Sequence, residues 1–185
     1  MNLREIKPDK LLSSYVRCYR IIDFEFKEQT YIPPKIYTPR PEQCLQFFPY
    51  STKIDYDKNS IVPKNALLFG QHSITNLRTV YSKFLSFQIV FQTGALFRLI
   101  GLPATSIANT ALEASEIFGK EIDEINEKLY YTENHNDMAR IVESFLLKKA
   151  LTVKKSVTPI DYASILMIEN EANYTLDDYV SRSFL

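Results

Sequence analysis

Few side chains in this sequence have the types and spacing that catalysis or metal binding requires. Histidine occurs only at His72 and His135, whereas a catalytic transition-metal site built on imidazole needs several histidines and a carboxylate around one ion. Cys18 and Cys44 form no CxxC pair, so we expect two buried free thiols. The four glycines cannot supply a phosphate-binding loop or a dinucleotide fingerprint, and no GxSxG elbow occurs. The sequence therefore predicts a protein that is not an enzyme and holds no metal or cofactor.

The composition is that of a globular chain, with 45% hydrophobic and 24% charged residues in 185. Lys+Arg and Asp+Glu both number 22, so the formal net charge is zero, whereas a DNA-binding domain usually carries a basic excess. The N-terminal segment MNLREIKPDK lacks the build of a signal peptide, and no apolar run approaches the roughly 18 residues of a membrane helix. We expect a cytoplasmic protein without membrane contact.

The elements that would position a site change character near Thr93. Before it, prolines interrupt short runs in which apolar and polar residues alternate, and such alternation is typical of strands with one face on a core. The predicted strands cover residues 15–22, 43–48, 66–69 and 84–92, although the start of the first could be a turn of helix.

After Thr93 the apolar spacing is helical. Thr93 is predicted to cap a short helix that Gly101 ends. A second helix follows near residues 122–129, and a stronger one covers residues 138–146 behind a cap at Asn134 or Asn136.

Two capped helices are indicated near the C-terminus. Thr158 and Asp161 have the spacing of a capping box with proline at the first helical position, and Thr175 and Asp178 repeat the cap and the acid. On physical grounds the pair could be any helical hairpin or the first two helices of a helix-turn-helix. In the second case we expect the apolar side chains that would face a recognition helix to be partly uncovered, namely Leu166, Leu176, Tyr179 and Val180.

Taken in order, several segments resemble AraC-type bacterial transcription regulators. The chain has a proline–leucine–aromatic opening (residues 8–19), the proline-flanked strand TPRPEQCLQFFPY and the step LLFG. The most specific match is FQIVFQTGALFRLIGLPATSIANTALEASEIFG, residues 87–119. The resemblance covers nearly the whole chain, and TLDDYVSRSFL at its end is similar to the second helix of the family's first helix-turn-helix.

The resemblance implies an α+β chain: a cupin-like β-barrel or sandwich with packed helices over residues 1–150, then a linker and an incomplete helix-turn-helix over 151–185. Family members continue with a recognition helix, so DNA contact is expected only through a C-terminal domain missing from this chain. The implied function is the effector-sensing and dimerisation portion of a transcription regulator. Its implied partners are an unknown small-molecule effector and a second copy of the chain.

The predicted ligand site follows from the strand pattern and this resemblance. The inward positions form the expected pocket wall, namely Leu45, Phe47, Phe87, Ile89 and Phe91, although plain core packing explains the same residues. Gln43, Gln71 and Arg98 could orient a ligand; Arg98 could instead clamp a carboxylate or cap backbone carbonyls. Two other functions stay open. The chain could be a stand-alone interaction module that dimerises with a longer regulator, or a truncated regulator without a ligand.

Overall fold

The computed structural model describes residues 2–26, 32–50, 52–56, 59–80, 82–153, 155–169 and 173–183, and the backbone alone at 53–56 and 59–61. The chain is mixed α+β, with mainly strands before Thr93 and mainly helices after it, as the periodicity predicts, although one strand, β10, lies among the helices. The described strands are β1 Asn2–Ile6, β2 Val16–Glu25, β3 Lys35–Tyr37, β4 Cys44–Phe47, β5 Thr52–Tyr56, β6 Asn59–Ile61, β7 Ala66–Phe69, β8 Asn76–Val80, β9 Lys83–Phe91 and β10 Ala111–Glu113. The described α-helices are α1 Ala95–Ile100, α2 Ala114–Phe118, α3 Glu121–Tyr130, α4 His135–Leu151, α5 Pro159–Glu169 and α6 Leu176–Ser183.

The strands form two antiparallel sheets. The six-stranded sheet has the order β1-β2-β9-β4-β7-β10, and the four-stranded sheet has the order β3-β8-β5-β6. Each sheet ends in strands that pair on one side only, so the described strands form no closed barrel. The sheets face each other, because Val80 of β8 packs with Phe24, Phe69 and Phe84 of the larger sheet.

Both faces of the six-stranded sheet are covered. One row of its register joins Tyr19, Ile89, Leu45 and Leu68, and these side chains pack against the helices in the main core. The next row joins Arg20, Gln88 and Gln46, which must point to the opposite face because side chains alternate along a strand. That second face looks toward the four-stranded sheet.

The first helix after the sheets begins differently from the prediction. The residue before α1 is Gly94 in the left-handed region (φ 73°), and no side chain caps the helix, so the predicted Thr93 cap is wrong. The entry is instead made by a backbone turn, in which the Ala95 amide donates to the Gln92 carbonyl at 3.1 Å. Gly101 (φ 75°) ends the helix as predicted.

The caps of the later helices are confirmed. The Asn134 side chain accepts from the amides of Asn136 and Asp137 at the start of α4. At α5, the Asp161 carboxylate accepts from the amide and hydroxyl of Thr158, and the Thr158 hydroxyl accepts from the Asp161 amide. Thr175 and Asp178 make the same reciprocal bonds at α6.

The C-terminal helices are only partly uncovered. Leu176 is 77% exposed and Val180 is 38% exposed, in agreement with the prediction, and Leu166 is half-buried. Tyr179 departs from the prediction: it is buried, with its ring 5.5 Å from that of Tyr174. None of the described helices combines the length and apolar character needed to cross a bilayer.

Candidate functional site: a polar cavity between the two sheets

A cavity of about 260 Å³ lies between the two sheets. Alternate residues of β2, β4 and β9 form one wall, while β3 and β8 form the other. The lining side chains that the following paragraphs use are Arg20, Ile22, Ile36, Tyr37, Glu42, Cys44, Gln46, Phe69, His72, Asn76, Arg78 and Gln88. Several are both polar and buried, which is uncommon for the face of a sheet that looks into a protein.

Arg78 of β8 is the central charged group of this cavity. It is 5% exposed; its Nη1 donates to Gln46 Oε1 at 2.9 Å and its Nε to Asn76 Oδ1 at 3.3 Å. The guanidinium carbon lies 3.8 Å from the centre of the Tyr37 ring and 5.0 Å from that of Phe69. Within the described residues, no carboxylate forms an ion pair with Arg78. Its guanidinium contacts amide oxygens and aromatic rings instead.

A chain of buried amides and a hydroxyl holds the acceptor of Arg78 in place. Gln46 is fully buried, and its Nε2 donates to the Ser86 hydroxyl while its Oε1 accepts from Arg78. The Gln88 amide also reaches the Ser86 hydroxyl, at 3.4 Å. Because Gln46 is bonded at both ends of its amide, the Arg78 guanidinium is fixed rather than free to rotate.

Glu42 neutralises part of the positive charge at the rim of the cavity. Its carboxylate accepts from Arg17 and, at 2.8 and 3.2 Å, from Arg20, whose Nε also donates to Glu5 at 2.7 Å. Burial raises the pKa of Glu42, but the bonds and charges of Arg20 and Arg17 outweigh it and hold the pKa below its usual value. Glu42 therefore stays ionised, and three lining arginines still outnumber this one carboxylate.

Two further titratable groups line the cavity in their neutral forms. Burial raises the pKa of the Cys44 thiol to about 12, and burial together with the charge of Arg78 lowers the pKa of His72. Both cysteines are free thiols. Among the described residues, no group of three or more His, Cys, Asp and Glu side chains is placed to hold a metal ion.

The predicted pocket wall lies on the other face of the same strands. Leu45, Phe47, Phe87, Ile89 and Phe91 are buried in the main core against the helices, and none of them is among the described residues that line the cavity. The sequence predicts β4 and β9 and the alternation of their side chains. It does not predict which of the two faces lines the cavity. The sequence neighbours of these core residues, such as Gln46 and Gln88, occupy the cavity face.

The three predicted polar contacts also lie away from the cavity. Gln71 is exposed, and its carbonyl accepts from the Asn109 amide. Gln43 is half-buried; its carbonyl accepts from the Phe91 amide, and its buried Nε2 has no hydrogen-bond partner within the described residues. Arg98 is buried, and its Nη2 donates to the Ser14 carbonyl, in the turn before β2, at 2.6 Å.

Arg98 caps a backbone carbonyl and lies within ion-pair range of a carboxylate, without a hydrogen bond from its Nε to any described residue. It binds a backbone carbonyl at Ser14, and its Nε lies 3.7 Å from the Asp161 carboxylate, which also forms the capping box of α5. Gly94 lies against the same carboxylate, since a Cβ built there would stand 1.8 Å from Asp161 Oδ1. Arg98 thus joins the start of β2 to the start of α5.

The residues that sequence reasoning missed carry a signal in the sequence. Gln46, Ser86 and Gln88 are polar residues inside otherwise apolar strands, and Asn76 and Arg78 have the same parity in NLRTV. Polar residues repeated at every second position of a strand indicate a face directed to water or to a polar cavity.

No protein-family model matches the chain, and no curated protein matches its sequence. Among solved structures, the chain is similar to the AraC-like transcriptional activator CuxR, with 12% sequence identity and a TM-score of 0.36. The similarity covers 99% of this chain and 76% of that chain. Identity and TM-score are both below the level that assigns a family.

Proposed function

We propose that this chain is the effector-sensing and dimerisation portion of an AraC-type transcription regulator, with a cupin-like pair of sheets that binds a small molecule. The observation that carries the proposal is the cavity between the sheets. Gln46, Asn76, Arg78 and Gln88 are all buried on its wall, where a purely structural core would hold apolar side chains. A concave site with a few converging polar groups is the usual form of a small-molecule site.

The contacts of Arg98 provide a route from the sheets to the C-terminal helices. β2 contributes Arg20 and Ile22 to the cavity, and the turn that precedes β2 contributes the Ser14 carbonyl to Arg98. Arg98 in turn faces Asp161 at the start of α5. A ligand that prefers one position of β2 would bias how α5 is seated, which is the differential binding that any allosteric response needs.

The proposed dimer forms through α3 and α4. Tyr131, the residue that follows α3, is 75% exposed, and Tyr130 at the end of α3 is also an exposed large hydrophobic residue. We expect sedimentation to show a dimer that Tyr131→Glu converts to monomer. Tyr162→Glu, which changes an exposed tyrosine of α5, is the matched control and should leave the dimer intact.

The sensing role is tested by a thermal-shift screen of small metabolites followed by a cavity-blocking variant. A compound that binds the folded protein adds about 2.7 kcal/mol to the free energy of unfolding at a concentration a hundred times its Kd. This added stability raises Tm. Ile22→Phe places a larger side chain on the cavity wall, whereas Leu77→Phe makes a similar change at an exposed position of β8. We expect the shift to disappear in Ile22→Phe and to persist in Leu77→Phe. A screen without any stabilising compound, or a shift that persists in Ile22→Phe, would contradict the proposal.

A stand-alone interaction module is the second candidate, and the exposed apolar groups of α5 and α6 favour it. Ile160 is 62% exposed, and Leu176 and Met167 are also exposed. The thermal-shift screen separates the two functions, because an interaction module of this kind needs no small molecule.

A further inference from the structure

We infer that the ligand of the cavity between the sheets is a small organic monocarboxylate, bound in the plane of the Arg78 guanidinium. The inference rests on the proposed function, since it names the chemical class of the molecule that this cavity takes. It follows from the donors that Arg78 keeps unused, from the charge of the cavity, and from its size.

The unused donors of Arg78 define one open edge. A guanidinium has five N–H donors, of which Asn76 takes the one on Nε and Gln46 takes one on Nη1. No described residue accepts from Nη2. The rings of Tyr37 and Phe69 lie against the guanidinium, so a new acceptor must approach in its plane. A carboxylate matches such an edge, because its two oxygens take two parallel N–H bonds.

The charge of Arg78 has no carboxylate partner on the described part of the protein. Glu42 is the acidic side chain of the cavity lining, and it already binds Arg17 and Arg20. Burying a cation without a counter-charge costs free energy, and an anionic ligand recovers that cost. Arg78 therefore matches one carboxylate group on the ligand. Of the other two lining arginines, Arg20 binds Glu42 and Glu5, and Arg40 lies 4.0 Å from Glu42 with its side chain 60% exposed.

The rest of the lining fits an uncharged body. Ile22, Ile36 and Phe69 supply apolar surface, and His72 and Cys44 are neutral groups. The cavity volume of about 260 Å³ lies just below the usual range of small-molecule pockets, about 300–1,000 Å³, which suits a small organic ligand.

The test compares carboxylates with their neutral amides on the whole chain. The probes are benzoate, phenylacetate and hexanoate, each paired with its amide, together with inorganic phosphate, and binding is measured by ligand-observed NMR and thermal shift. We expect at least one carboxylate to bind about tenfold or more tightly than its amide. Arg78→Met should remove that difference, and Arg78→Lys should retain part of it. Arg140→Met, at an exposed arginine of α4, is the matched control and should behave as the wild type.

The possible failures separate the inference from the proposed function. If amides bind as well as carboxylates, or if Arg78→Met leaves the preference intact, the carboxylate class is wrong although the cavity still binds small molecules. If phosphate binds through Arg78 and no carboxylate does, the carboxylate class is again wrong. If no probe and no compound of the wider metabolite screen binds, the proposed function fails as well. The wild-type comparison of acid with amide decides the inference even if Arg78→Met does not fold.

Discussion

Three buried arginines of this chain differ in how their charges are compensated. Arg20 binds the carboxylates of Glu5 and Glu42, whereas Arg98 binds a backbone carbonyl and faces Asp161. Arg78 has amide oxygens and aromatic rings but, within the described residues, no carboxylate. Arg20 and Arg98 have partners on the protein itself, so their roles need no ligand. Arg78 lacks a carboxylate partner within the described residues, and it is therefore the arginine that we propose for ligand binding.

Glu42→Gln is expected to destabilise the protein by about 2 kcal/mol, because it removes the charge that compensates Arg17 and Arg20 at a largely buried position. Urea unfolding measures the change in free energy of unfolding. Glu133→Gln, at an exposed glutamate, is the control and should change stability by no more than about 0.5 kcal/mol. An equal effect of the two substitutions would show that the rim network does not stabilise the fold.

The same carboxylate gives a pH dependence with a defined sign. The pKa of Glu42 in the folded protein is below its ordinary value of 4.5, so the folded state binds a proton less readily than the unfolded chain. Its contribution is therefore fully present above about pH 5 and is lost as the pH falls through the folded pKa. Wild type and Glu42→Gln should converge in stability at low pH, and a constant difference down to pH 3 would contradict this assignment.

At the scale of the elements, the seating of α5 depends on a glycine. Gly94 has φ 73° and lies against the Asp161 carboxylate, where a Cβ would stand 1.8 Å from an oxygen. Gly101 has nearly the same φ, 75°, but its nearest neighbour, Lys155 Nζ, would be 3.9 Å from an added Cβ. The two glycines thus separate the cost of a left-handed backbone from the cost of a clash.

Gly94→Ala is therefore expected to cost more than Gly101→Ala, which should lose about 1 kcal/mol from the backbone alone. The additional loss comes from displacing Asp161, so hydrogen exchange of residues 159–169 should accelerate in Gly94→Ala and not in Gly101→Ala. Equal exchange in the two variants would show that α5 is not seated on α1 through this contact.

The elements also show how far the sequence predicts the structure. Residues 84–92 were predicted as a strand with Phe87, Ile89 and Phe91 on one face, and β9 has that alternation. The sequence does not show that the second face of β9 is also buried, because Ser86 and Gln88 are typical of a face in water. Only the pairing of distant strands, such as Arg20 beside Gln88, makes that face a cavity wall.

The caps at Asn134, Thr158 and Thr175 were predicted correctly because they depend on local chemistry, whereas a backbone turn replaces the predicted cap at Thr93. Thr158 and Asp161 bond to each other across three residues, and no distant part of the chain is needed for that interaction. The position of Arg78 over Tyr37 depends instead on how β3 pairs with β8, which the local sequence does not determine.

At the scale of the whole molecule, the charge balance limits what the chain can bind. Its formal net charge is zero, and the first turns of α5 and α6 carry Asp161, Asp177 and Asp178. Phosphate contacts by basic side chains dominate the affinity of proteins for DNA. We therefore expect this chain to bind duplex DNA weakly and without sequence preference, as measured by fluorescence anisotropy at physiological salt. Sub-micromolar, sequence-selective binding would contradict this expectation.

We propose that a small molecule in the cavity between the sheets changes how the C-terminal helices are held. Hydrogen exchange with and without the strongest compound from the thermal-shift screen tests it most directly. We expect slower exchange in β4 (44–47) and β8 (76–80), which form the cavity walls, and a change in α5 (159–169), which Arg98 connects to β2. Unchanged exchange in α5 would contradict the coupling to the C-terminal helices, and unchanged exchange in β4 and β8 would place the binding site elsewhere.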